Sequence, residues 1–226
     1  HVDEHDLIKE HFKNLILKKD RVNGIKLAEK EKYDVVILDD GFQDRKIKKN
    51  LNIICFNQKQ LIGNGFILPS GPLREGLKSL NKANIILING KKDKNFEDKV
   101  LSINKDLEIF YSNYRPLNID KFKGKKLFAV AGIANPNNFF QLIEENGLTI
   151  EKKLIFPDHY EFTRAEIEEI MQEAKDKNYQ IVMTEKDYFK IKKFNMGKIE
   201  YFEVLLEVNN KEKFLNTIIR MYDQNN

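Results

Sequence analysis

Short apolar runs alternate with amphipathic stretches along almost the whole chain. Val35–Leu38, Leu51–Phe56, Asn84–Ile88 and Leu107–Ser112 are rich in β-branched and aromatic residues and end in turn signals. So do the LFAVAGI run after Lys126, Leu148–Phe156, Gln180–Met183 and Tyr201–Val208. This is the pattern of buried strands. Asn14–Leu17 reads as a further short strand. Between them the spacing changes to that of helices. In Asp20–Lys30, Val22, Ile25, Leu27 and Ala28 form one stripe; Glu4–Phe12, Phe96–Ile103 and Lys211–Tyr222 read the same way. Asn135-Pro136 is an N-cap and first-turn pair, and Gly147 can end the helix that follows. Thr163 and Glu166 have capping-box spacing ahead of a stripe of Ile167, Ile170, Met171 and Ala174. Thr184–Asp187 opens another helical turn. Strands alternating with helices predict an α/β fold, a parallel sheet with helices on its faces. The pattern restarts after a polar link at Pro116–Lys123, which predicts two domains, 1–118 and a smaller α/β domain, 119–226.

Composition narrows the classes. In 226 residues, 41% hydrophobic and 11% aromatic content supports a sizeable core and argues against disorder. The net charge of +4, from 39 basic against 35 acidic residues, is too small and too interspersed for a nucleic-acid-binding face. It is compatible with an anionic small substrate or a membrane surface. The single cysteine, Cys55, excludes an internal disulfide and fits a reducing compartment; within LNIICF it reads as a core residue. No apolar run approaches the roughly 20 residues that span a bilayer, and no signal peptide is visible. The first residue is His1 rather than Met, so the chain reads as a fragment or a processed product.

The candidate chemistry starts at Tyr33–Gln43, YDVVILDDGFQ. Here an apolar run ends in two adjacent carboxylates, Asp39 and Asp40. The C-terminal ends of parallel strands are where α/β sheets bind ligands. In phosphate-transferring proteins an acid there holds Mg²⁺. A plain Asp-Asp-Gly turn is the alternative. Leu61–Gly76 is long for a connection between strand and helix, and carries Gly63, Gly65, Gly71, Gly76, Pro69 and Pro72. Structured loops of that length are often functional. Arg74 offers a planar fork for phosphate oxygens, and Glu75 could join a metal site or pair with Arg74. His159, in Phe156–Phe162 between a strand and the Thr163 cap, is a candidate acid or base. No G-x-x-x-x-G-K followed by Ser or Thr occurs anywhere.

Taken together, these segments resemble the tetraacyldisaccharide 4′-kinase family of lipid A biosynthesis. The matching stretches are KDRVNG (Lys19–Gly24), DDGFQ (Asp39–Gln43), GNGFILPSGPLRE (Gly63–Glu75), AGIANPNNFF (Ala131–Phe140), FPDHYEF (Phe156–Phe162) and TEKD (Thr184–Asp187). They occur in the family's order along nearly the whole chain.

The resemblance implies a P-loop-NTPase-like parallel sheet, incomplete at its N-terminus, with a second α/β domain. It implies transfer of the γ-phosphate of ATP to the 4′-hydroxyl of a lipid disaccharide 1-phosphate, with Mg²⁺, at the cytoplasmic face of the bacterial inner membrane. It also implies roles: Asp3 and His159 as a catalytic pair, Asp39 and Asp40 as metal ligands, and Gln43, Arg74 and Glu75 as substrate or metal contacts. Around Asp3 the family's Gly is Val2 and its Pro is His5; the His that usually follows DDGFQ is Asp44. Without a P-loop, the chain alone is expected not to turn over ATP. A catalytically dead nucleotide- or glycolipid-binding module is the competing expectation.

Overall fold

The computed structural model describes residues 8–197 and 199–225. They fold as two compact α/β units, and the chain crosses between them more than once. One unit comprises Ile16–Tyr114 and Leu206 onward; the other comprises the described residues up to Leu15 and Arg115–Leu205.

The first sheet has the order β1 (Ile53–Asn57), β2 (Ile85–Asn89), β3 (Glu108–Pro116) and β8 (Val204–Val208). β1, β2 and β3 are parallel, with Ile53 opposite Ile85 and Ile85 opposite Glu108. β8 runs the other way. The Leu117 N–H donates to the Glu203 carbonyl and the Asn209 N–H to the Tyr111 carbonyl, so rising numbers meet falling ones. β2 is buried on both faces, which is why it reads as an unbroken apolar run. Ile86 and Ile88 face α2 (Lys94–Ile103) through Phe96 and Val100. Ile85 and Leu87 face α6 (Lys211–Asn225) through Phe214, Ile218 and Met221.

The second sheet has the order β5 (Thr149–Ile155), β4 (Lys126–Ala131), β6 (Gln180–Met183) and β7 (Glu200–Tyr201), all parallel. α3 (Pro136–Glu145) covers one face with Phe139, Phe140 and Ile143. α4 (Arg164–Asp176) covers the other with Ile167, Ile170 and Ala174. α5 (Glu185–Ile191) follows β6 directly. The Thr163–Glu166 capping box forms in full. Gly147, with φ 76°, takes the left-handed conformation just past α3.

Several features differ from the sequence expectation. Cys55, read as a core residue, is exposed on β1. Val35–Leu38 joins no sheet, and Val35, Val36 and Ile37 are exposed. A parallel strand exists only against a neighbour, and among the described residues this run has none. Asn14–Leu17 is likewise not a strand. Tyr201–Val208, expected as one strand, splits at Phe202–Glu203 between the two sheets. The split returns the chain to the first sheet, and residues 206–225 belong to the first unit.

Candidate active site

In the first unit the candidate residues lie on two loops. Asp39 and Asp40 follow the Val35–Leu38 segment, and Asp40 adopts φ 51°, which bends the chain sharply. Two cations hold that bend. The Arg21 guanidinium, on α1 (Arg21–Lys30), donates to the carbonyls of Asp39 at 3.1 Å and Asp40 at 3.2 Å. Lys49 Nζ donates to the carbonyl of Gly41 at 3.2 Å and also to that of Asp44. Both aspartates are exposed, and Gln43 is half-buried.

The second loop, Leu61–Gly76, is tightly built. Asn64 Oδ1 accepts from the Phe66 N–H and its Nδ2 donates to the Ser70 carbonyl. Leu68 and Leu73 N–H groups bond back across the loop. A Cβ at Gly71 would stand 2.2 Å from Asn64 Oδ1 and 2.3 Å from the Phe66 carbonyl, so only glycine fits. The loop delivers Arg74 to Asp40, and the two form an exposed ion pair. The Asp40 carboxylate beside it holds the Arg74 guanidinium even above its ordinary range. Glu75, next to Arg74, is half-buried. Among the described residues no three His, Cys, Asp or Glu side chains gather as a metal-binding cluster.

In the second unit, three segments leave the C-terminal ends of neighbouring parallel strands. These are the Gly132 turn after β4, the Phe156–Phe162 loop after β5, and Thr184–Asp187 after β6. They bring His159 beside Lys186. Lys186 Nζ lies 3.5 Å from His159 Nε2 and 3.5 Å from Asp158 Oδ1. Nε2 also lies 3.8 Å from Asp158 Oδ2, so a lysine and a carboxylate both face that ring nitrogen. The His159 N–H donates to Asp158 Oδ1 at 3.0 Å. Asp3, expected to pair with His159, lies outside the described residues. The chain a few residues later docks on α5, with His11 Nε2 3.0 Å from Glu185 Oε1 and Lys192 Nζ 3.0 Å from Glu10 Oε1.

Lys186, Arg21 and Lys49 were not among the candidate residues from sequence. TEKD was legible as a motif, and its place after a strand was the available signal. That Lys186 would meet His159, 27 residues away, depends on β6 and β5 flanking β4.

Comparison with known proteins agrees with this architecture. The family described as Tetraacyldisaccharide-1-P 4′-kinase matches residues 2–222. A tetraacyldisaccharide 4′-kinase of Pelagibacter ubique (strain HTCC1062) is 35% identical over 208 residues, 91% of this chain and 66% of the relative. Its counterpart in Rickettsia akari (strain Hartford) is 33% identical, over 93% of this chain and 64% of the relative. The crystal structure of LpxK from Aquifex aeolicus in complex with ATP superposes with a TM-score of 0.60 at 24% identity, covering 88% of this chain and 61% of that one. At that identity it speaks for the fold alone. The chain thus spans just under two thirds of the length of the relatives it matches. With a family match along nearly all its residues, the chain belongs to the tetraacyldisaccharide-1-P 4′-kinase family.

Proposed function

We propose that this chain is part of a tetraacyldisaccharide 4′-kinase. The whole protein would transfer the γ-phosphate of ATP to the 4′-hydroxyl of a tetraacyldisaccharide 1-phosphate, giving lipid IV-A. The observation that carries the proposal is the family match over residues 2–222. The geometry within each of the two residue clusters supports it.

His159 is the base. A secondary hydroxyl is a poor nucleophile, and an imidazole can take its proton as the new bond forms. Asp3 is its partner in this proposal, supported by the contact of His11 with Glu185, the residue before Lys186 in the chain. Arg74 binds phosphate oxygens through its fork once Asp40 releases it, and Gln43 and Glu75 contact substrate. The hard oxygens of Asp39 and Asp40 suit Mg²⁺, whose remaining ligands are usually phosphate and water. Asp40 is engaged by Arg74, while Asp39 has no such cation among the described residues, which favours Asp39 as the metal ligand. Bound Mg²⁺ would neutralise charge on the phosphoryl group. The protein works as a peripheral enzyme at the cytoplasmic face of the bacterial inner membrane; no helix among the described residues is long and apolar enough to cross a bilayer.

The test is a 4′-kinase assay with ATP and the lipid disaccharide 1-phosphate, on the protein with every residue its gene encodes. His159→Ala should lower kcat by about 100-fold or more. Unchanged kcat would remove His159 from the chemistry. A second proposal is a binding module without turnover. It predicts ATP or glycolipid binding with no phosphorylated product in the same assay.

A further inference from the structure

The loop that carries His159 is held from behind by a buried ion pair. Asp187 is fully buried and the Lys190 side chain only 4% exposed. Lys190 Nζ lies 3.4 Å from Asp187 Oδ1. Asp187 Oδ2 accepts from the Gly132 N–H at 2.8 Å and from Thr184 Oγ1 at 2.7 Å. Lys190 Nζ also donates to the Tyr160 carbonyl at 3.1 Å. One pair therefore ties together the turn after β4, the first turn of α5 and the residue next to His159.

The backbone it holds is an unusual one. His159 has φ 59°, a conformation that residues with a Cβ seldom adopt. Such conformations persist when the surroundings over-determine them. Here the Tyr160 ring lies 4.6 Å from that of Phe156 and 5.3 Å from that of Phe162, and its hydroxyl donates to Glu166. On the other side, a Cβ at Gly132 would stand 3.1 Å from Asp187 Oδ1 and 3.4 Å from the Pro157 carbonyl. Gly132 thus lets the turn close on the carboxylate and on the His159 loop at once.

A buried ion pair is a poor source of net stability, and apolar residues of similar volume often serve as well. Apolar residues cannot grip a carbonyl. We propose that Asp187 and Lys190 are positioning residues for His159. Lys190 fixes the Tyr160 carbonyl and so the His159 backbone and ring; Asp187 keeps Lys190 in place and anchors it to Gly132. Neither touches substrate. This rests on His159 being the base.

The test removes both charges together, Asp187→Asn with Lys190→Met, so that no unpaired charge is left buried. The first readout is hydrogen exchange of the Phe156–Phe162 amides in this chain. Exchange should rise about tenfold or more while α3 and α4 stay protected. The second is the 4′-kinase assay on the full-length protein. There kcat should fall roughly 10- to 100-fold with KM for ATP unchanged, since misplacement of a reacting group costs rate rather than binding. Unchanged exchange in the loop overturns the proposal, and so does full kcat with faster exchange. If α3 and α4 also lose protection, the pair is structural and the proposal fails. His159→Ala is run alongside: if it keeps full kcat, the base assignment fails, while the exchange data still decide whether the pair holds the loop.

Discussion

Asp187→Ala should be among the most damaging substitutions in the second unit. The carboxylate is completely buried and accepts from the Gly132 N–H and the Thr184 hydroxyl while pairing with Lys190. Removing it takes the carboxylate away from the buried Lys190 ammonium and strips the Gly132 N–H of its partner. Breaking one side of a buried pair typically costs about 3–5 kcal/mol. With a urea m-value of about 1.5 kcal/mol/M, that lowers the midpoint by roughly 2–3 M. The assay is urea unfolding followed by far-UV circular dichroism. Asp187→Asn/Lys190→Met, which leaves no charge behind, should recover stability to within about 1 kcal/mol of the parent. A single Asp187→Ala that unfolds within about 0.5 kcal/mol of the parent would refute the reasoning, since that is the range of ordinary surface changes.

Other outcomes follow from other parts of the molecule. Arg74→Ala in the full-length protein should cut kcat about 100-fold if Arg74 meets the phosphoryl group in the transition state, read by steady-state kinetics with saturating ATP. Tyr111 is pushed up to about 12, first by burial and then by its hydrogen bond to Glu97. Its neutral form is favoured by folding, so its contribution is full below the unfolded tyrosine value of about 10 and is lost as pH rises through the window up to the folded value. Tyr111→Phe should flatten that alkaline loss in a pH series of thermal melts. Glu166 is held below the ordinary carboxylate range, first by the Tyr160 hydroxyl and then by the Thr163 N–H and hydroxyl. Its contribution is full above the unfolded carboxylate value and fades as pH falls through the lowered folded one, so Glu166→Gln should weaken the acid sensitivity of α4 in hydrogen exchange.

Local chemistry settled much of this protein in advance. The capping box at Thr163 and Glu166, Pro136 at the start of α3, and Gly147 just past its end concern groups a few residues apart, so each was legible as written. The apolar runs of β2 and β4 were equally legible, because strands buried on both faces need no polar alternation. The candidate-site motifs stood out too, but not what each would touch. Arg74 meets Asp40 from 34 residues away, and Lys186 meets His159 from 27. Those separations close only when strand order decides which loops leave the sheet side by side. The same dependence explains the failures. Val35–Leu38 has every local mark of a buried strand, yet Val35, Val36 and Ile37 lie exposed, since a strand is a property of a pair and among the described residues this run has no partner. Tyr201–Val208 is one apolar run that tertiary structure divides between two sheets. The sequence by itself determined which segments could be strands, helices or anion-binding loops. Only the tertiary structure decided which of them were paired, because pairing is made by neighbours distant in the chain.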